Sequence, residues 1–169
     1  MPDLISQLDR RYRAALDAIL VAAIFLTRLP IPYRGTIDAE AQGRAMGWFP
    51  LVGALIGLGA GLVFALSRAF GLPHLPAAGL AVAAAVIATG ALHEDGLADL
   101  ADGLGGRDRE QKLEIMRDSR IGSYGTLALV LGVGLRVAAL ASLGFTGLSV
   151  RALMVAGAVS RAAAVVMAR

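Results

Sequence analysis

Residues 45–67 form an unbroken run of 23 uncharged residues, AMGWFPLVGALIGLGAGLVFALS, closed by Arg44 on one side and Arg68 on the other. At about 1.5 Å per residue, a helix of that length crosses the roughly 30 Å hydrocarbon core of a bilayer. Inside lipid every backbone N–H and C=O needs a partner within the protein, which restricts a spanning segment to a helix or a closed barrel. The rest of the sequence repeats the helical option. A second apolar run extends from Pro76 to Leu92 after the turn-prone FGLPHLP, a third from Gly125 to Phe145 contains Arg136, and a fourth from Ala152 to Ala168 contains Arg161. The uncharged run from Ala18 to Thr27 is too short for a crossing and predicts a partial, tilted or re-entrant helix over 14–29.

The expected fold is therefore all-α. A single integral membrane domain covers residues 1–169, a polytopic helix bundle with full spans near 46–67, 76–92, 125–145 and 152–168, cytoplasmic loops and a short surface helix. Composition agrees: 57% of the residues are hydrophobic and 17% charged, against about 45–50% and about 25% in soluble domains. Membrane lipid is the expected surrounding. The absence of cysteine excludes disulfide frameworks and thiolate metal sites. A net charge of +3 invites a nucleic-acid reading. The basic residues instead flank apolar runs without interleaved aromatics, which argues for topology and phosphate contacts and against nucleic acid. Arg10, Arg11 and Arg13 precede the apolar stretch Ala14–Leu26 in the manner of a signal peptide, yet Thr27-Arg28-Leu29-Pro30 follows in place of a small-residue cleavage site. That segment is expected to be retained.

Gly53, Gly57 and Gly61 recur every four residues and share one helix face, which permits close approach of a second helix. Packing within the bundle and contact with a second copy in a homo-oligomer both use such a face. Orientation follows from the loops. The segment from Arg28 to Arg44 holds three arginines and that from His93 to Tyr124 five basic residues, whereas the connections near 69–75 and 146–150 hold none. The positive-inside rule places both long loops on the cytoplasmic side of a multi-pass membrane protein. His74 falls in an external connection and is expected to be structural.

Eight of the thirteen acidic residues lie between Glu94 and Asp118, in the cytoplasmic loop 93–124. Asp95, Asp99 and Asp102 stand at i, i+4 and i+7, within about 60° on a helix wheel. Three like charges on one face repel, and a divalent cation among them relieves the repulsion. Hard oxygen donors without cysteine or clustered histidine favour Mg²⁺, with Mn²⁺ or Ca²⁺ as alternatives; a solvated acidic turn is the plainer reading. Glu94 points about 100° away from Asp95 and is not expected in the ligand set. Downstream, Asp108 and Gln111 have capping-box spacing, Leu113, Ile115 and Met116 give a short amphipathic surface helix, and Gly122 is a stop signal. Arg117, Asp118, Ser119 and Arg120 place an acid between guanidinium forks suited to phosphate oxygens. Asp118 could serve as a further ligand or a base, or the segment could be a surface salt bridge. Arg136, inside an apolar run, either reaches toward phosphates, pairs with an acid, or snorkels; Arg161 has similar standing.

Carboxylates and arginines at a membrane face suit phosphoryl or nucleotidyl transfer, with a cation transporter as the rival from a different class. HEDGLADLADG followed by LEIMRDSRIGSYG resembles the cobalamin synthase family, the adenosylcobinamide-GDP ribazoletransferases. FLTRLPIP (25–32) and FPLVGALIG (49–57) resemble that family's N-terminal signatures. The resemblance implies a Mg²⁺-dependent inner-membrane enzyme that joins adenosylcobinamide-GDP to α-ribazole or its 5′-phosphate, releasing GMP. It further implies Asp95, Asp99 and Asp102 as metal ligands and His93 close by. Asp118, Ser119 and Arg120 would belong to the same site, and Thr27 and Arg28 would line it. Together with the residue reading, this gives Asp102, Asp118 and His93 as catalytic candidates, and Thr27, Arg28, Arg117, Ser119, Arg120 and Arg136 as substrate-binding candidates. The acids are also similar to those of CDP-alcohol phosphotransferases, but Asp99 stands where that pattern has arginine. Two departures from the cobalamin synthase pattern stand out: Glu94 occupies a position that is apolar in many members, and relatives continue into further helices past the point matching Arg169, which implies a shortened chain.

Overall fold

The computed structural model describes residues 2–168, with Met1 and Arg169 outside it. Eight helices follow in order: α1 Pro2–Leu26, α2 Ala39–Met46, α3 Phe49–Ala69, α4 His74–Thr89, α5 Leu92–Gly103, α6 Arg109–Arg117, α7 Ser123–Ser142 and α8 Thr146–Met167. No strand occurs among the described residues. The expected all-α membrane bundle is what forms. Three helices, α3, α7 and α8, are each long and apolar enough to cross a bilayer.

The glycine face of α3 organises the centre. A Cβ on Gly53 would strike the carbonyl of Gly157, one on Gly57 the carbonyl of Leu153, and one on Gly61 would come within 3.0 Å of Val150 Cα. The order of these contacts makes α3 and α8 antiparallel with their backbones touching. α8 of the same chain thus covers the Gly53/Gly57/Gly61 face. Of the two uses read from the spacing, packing within the bundle is the one that forms, and the alternative homo-oligomer contact with a second copy is corrected because α8 occupies the face. At the far end of α3, Phe64 is fully buried with Ala77, Ala78 and Ala81 of α4 and Leu140 of α7. His74 Nε2 lies 3.3 Å from the Gly144 carbonyl oxygen, tying the α3–α4 connection to the α7–α8 connection. These two short connections share one side of the bundle, so the starts of α3 and α7 share the other.

Two expectations about the spans need correction. The second apolar run does not make a straight crossing: α4 has 16 residues and α5 leaves it at 89°, the two qualifying as a span only as a broken pair. The break sits at Gly90 and Ala91, both left-handed with φ of 65° and 60°. For Ala91 that conformation costs about 1–2 kcal/mol. Inside a bilayer, broken helices survive where other parts of the protein satisfy the freed backbone. Here the Arg28 N–H donates to the Ala88 carbonyl at 2.8 Å, and the Arg28 side chain lies where a Cβ on Gly90 would be. Accordingly residues 92–103, expected within a cytoplasmic loop, form the second half of this broken element.

The other correction concerns α1, which is helical from Pro2 rather than from about residue 14. Its first half carries charge, including an Asp9–Arg13 pair at 3.0 Å one turn apart. Such a pair supports a helix that hydropathy alone does not mark. Its last two turns are apolar, with Val21, Ala22 and Leu26 packed with Phe49 and Val52 of α3, and Phe25 stacked on Phe49 at 5.4 Å.

Candidate active site around the broken helix

α5 runs antiparallel beside α7. Glu94 near its start pairs with Arg136, a Cβ on Gly132 would lie 3.3 Å from Leu97 Cδ2, and Asp102 near its end reaches Gly122 and Gly125. The buried residues of α5 are Glu94, Ala98 and Gly103, with Asp102 half-buried beside them. Asp95 and Asp99, one turn apart, lie on the adjoining face, Asp95 exposed and Asp99 half-buried. Neither of these two carboxylates has a hydrogen bond or ion pair among the described residues.

Asp102 behaves differently from the other two. Its Oδ2 accepts the Gly122 N–H and its Oδ1 the Gly125 N–H, each at 2.8 Å. These are orphan donors at the start of α7, so the carboxylate caps that helix from another element and sits at the positive end of its dipole. A Cβ on Gly122 or Gly125 would collide with the Asp102 carboxylate, so those glycines are what admit it. The structure therefore does not gather the expected trio. No group of three His, Asp or Glu side chains able to hold a metal ion occurs among the described residues. The donors that suit a hard divalent ion are Asp95 and Asp99, whose oxygens are unengaged. Two carboxylates match the way Mg²⁺ is usually held, with waters and substrate phosphates completing its shell.

Asp118 sits in the turn between α6 and α7. Arg120 grips it as a fork, Nη2 to Oδ2 at 2.7 Å and Nε to both oxygens at 3.1 Å, while the Arg120 backbone N–H adds a bond of 3.0 Å. The side-chain bonds from Arg120, followed by its N–H, hold the Asp118 carboxyl below the usual aspartate range. Both carboxylates expected as the base, Asp102 and Asp118, thus have each oxygen engaged. Ser119 is exposed and makes no side-chain hydrogen bond among the described residues. The α6 helix opens with Asp108 accepting the Gln111 N–H at 2.9 Å, as the spacing predicts, although Gln111 reaches back to the Arg107 N–H rather than to Asp108 itself. α6 is seated on α5 by Met116, whose Cγ would be 2.8 Å from a Cβ on Gly103.

The arginines divide into two groups. Arg117 ends α6, exposed and without an ion pair, near the C-terminal end of α5. Arg28 lies across Gly90 at the opposite end, and its neighbour Thr27 turns its hydroxyl to the Ala23 carbonyl at 2.7 Å and accepts the Leu29 N–H at 3.4 Å. Arg28 thus adjoins the start of α5, and Arg117 follows Met116, which packs near its end. Arg136 points elsewhere, its Nη1 bonded to Glu94 Oε1 at 2.7 Å. Sequence reasoning left Glu94 without a partner and Arg136 with several. The signal available was that an arginine inside an apolar run needs an acid, and Glu94 adjoins such a run. His93 shares the neighbourhood, within electrostatic reach of Arg161, Glu94 and Arg136.

An opening of about 380 Å³ lies between α1, the 27–38 segment and α2, lined by Asp17, Tyr33, Thr36, Asp38 and Arg44 among others. It is separate from the α5 face by its lining residues.

Similarity to known proteins supports one family throughout. A family model described as cobalamin-5-phosphate synthase matches residues 18–169. An adenosylcobinamide-GDP ribazoletransferase of Allorhizobium ampelinum is 52% identical over 131 residues, covering 77% of this chain and 51% of the relative. One of Mesorhizobium japonicum is 47% identical over 154 residues, covering 88% and 58%. One of Shewanella amazonensis is 48% identical over 139 residues, covering 82% and 53%. The chain thus spans somewhat over half the length of these curated relatives. No solved structure matches it. Several ordered motifs, a membrane-helix fold and relatives at these identities lead to one conclusion: the chain belongs to the cobalamin-5-phosphate synthase family.

Proposed function

We propose that this chain carries the cytoplasmic-face reaction centre of an adenosylcobinamide-GDP ribazoletransferase of the bacterial inner membrane. The observation that carries the reading is the pair of unengaged aspartates, Asp95 and Asp99, one turn apart on α5. Asp95 and Asp99 would hold Mg²⁺, which supplies charge neutralisation at the substrate pyrophosphate. Arg28 and Arg117, at the two ends of α5, bind phosphate oxygens and orient the pyrophosphate along the helix. A hydroxyl of α-ribazole attacks the phosphorus attached to the corrinoid side chain. One P–O bond forms, the P–O bond to GMP breaks, and GMP leaves with the electron pair. The hydroxyl proton passes to the water bathing this open face. Asp102 and Asp118 shape the site rather than take that proton: Asp102 fixes the start of α7 against α5, and Asp118 fixes the turn that carries Ser119 and Arg120.

The cation-transporter alternative has less support, because it needs a continuous line of free charges through the spans. Arg136, inside its span, is instead paired with Glu94.

Membranes containing the chain, supplied with adenosylcobinamide-GDP, α-ribazole and Mg²⁺, should release GMP and form adenosylcobalamin. Asp95→Asn and Asp99→Asn should each lower the rate by at least about a hundredfold, in keeping with loss of a metal ligand. Absence of product from the unsubstituted chain, or product formation indifferent to both changes, overturns the proposal.

A further inference from the structure

Glu94 is the most buried acid of α5, with a relative exposure of 8%. Its Oε1 bonds Arg136 of α7, and its Oε2 is buried without a hydrogen-bond partner. Arg161 of α8 lies within electrostatic range of both Glu94 and Arg136, and its own Nε is buried and unpartnered. The place of Arg161 is set by the backbone. Its Cδ is 3.0 Å from where a Cβ on Gly53 would stand, so the close α3–α8 seam delivers this guanidinium to the break between α4 and α5. One buried carboxylate is therefore paired with the Arg136 guanidinium and lies within electrostatic range of the Arg161 guanidinium, in a setting where an unpaired charge is costly. The Arg161 Nη1 donates to Ser160 Oγ at 2.9 Å.

We infer that Glu94 is a positioning residue: a carboxylate shared between Arg136 and Arg161 that fixes the first turn of α5 to α7 and α8. The consequence follows from helix geometry. Asp95 is the next residue, about 100° round the helix, and Asp99 one turn on. Pinning Glu94 inward holds Asp95 and Asp99 on the open face. Two sequence oddities, a buried acid and arginines within two apolar runs, thus become parts of one device. Its effect on Asp95 and Asp99 rests on the function proposed above; the clamp itself does not.

The chain has no cysteine, so introduced cysteines give unique labels. Spin labels at Leu100→Cys on α5 and Val130→Cys on α7, both exposed positions, report the α5–α7 distance in detergent or nanodiscs without substrate. With Glu94 in place the distribution should be single and narrow. Glu94→Gln should make it broad or two-peaked. The triple variant Glu94→Leu, Arg136→Leu, Arg161→Leu removes every member of the group and should restore a narrow distribution, which guards against a general failure to fold. A narrow, unshifted distribution in Glu94→Gln, or a triple variant as broad as Glu94→Gln, overturns the clamp. In parallel, Mn²⁺ titrated with inorganic pyrophosphate should bind Glu94→Gln about tenfold more weakly than the unsubstituted chain, as for loss of a supporting residue behind a metal site. Equal Mn²⁺ affinity in the two overturns the positioning of Asp95 and Asp99. If the unsubstituted chain binds no Mn²⁺, the metal reading falls while the distance measurement still decides the clamp.

Discussion

Asp118 and Arg120 show how one short stretch can fix its own turn. The MRDSR sequence places an acid two residues before an arginine, and in the turn after α6 the guanidinium folds back to make three contacts with that acid. The carboxyl is held below its ordinary value of about 3.9. The folded state thus favours the ionised form, and the associated stability is complete above the ordinary aspartate value. It is lost as pH falls through the lowered one. A ¹³C titration of the Asp118 carboxyl should give a midpoint below about 3.9, and Arg120→Ala should return it to the ordinary range. A midpoint that ignores the substitution would show that Arg120 does not set it. Because both partners are solvent-accessible, the pair should order the turn more than it stabilises the fold.

Among the elements, the glycines of α3 separate what spacing can reveal from what it cannot. The four-residue repeat disclosed a close helix contact, and the structure supplies its partner, α8. Spacing alone does not distinguish an internal helix from a second molecule, since both present the same small-residue requirement. The same limit explains Asp102: the wheel places it with Asp95 and Asp99, but the orphan N–H groups at the start of α7 are tertiary and draw it away. The break at Gly90 and Ala91 was illegible because Ala91 is an ordinary helix former in a left-handed conformation. What did read directly were the long apolar spans and the Asp108–Gln111 cap, where local chemistry decides the outcome. The glycine face can be tested against a neighbour in the same helix. A Cβ at Gly57 would overlap backbone atoms of Leu153 and Met154, whereas one at Gly59 meets nothing within 4 Å. Gly57→Ala should lower unfolding stability in detergent by about 1–3 kcal/mol. Gly59→Ala should leave it unchanged or raise it by up to about 1 kcal/mol through helix propensity. Equal effects at the two positions would contradict the α3–α8 seam.

For the whole molecule, the arrangement of connections converts charge bias into a topology. α3 and α8 are antiparallel, α8 begins where α7 ends, and His74 bonds to Gly144, so the starts of α3 and α7 lie together. The broken α4–α5 pair enters at the side of the short connections and leaves beside the start of α7, which makes it the fourth crossing if it acts as one span. α1, apolar only in its last turns, meets this pair at the break through Arg28, so it enters from the side of the long loops. The positively charged segments 28–44 and 104–122 then share one face, and the uncharged connections share the other. The positive-inside rule predicts the charged face on the cytoplasmic side, the side on which the proposed reaction would meet a nucleotide substrate. Single cysteines in the cysteine-free chain can check this with a membrane-impermeant thiol reagent. In inside-out vesicles Thr36→Cys and Ser119→Cys should both label, while Ala69→Cys and Phe145→Cys should label only in right-side-out vesicles. Labelling of Thr36→Cys and Ser119→Cys from opposite sides would break the antiparallel order itself. Labelling of both from the outside would keep the fold but place Asp95 and Asp99 away from the nucleotide pool, and the proposed reaction with them.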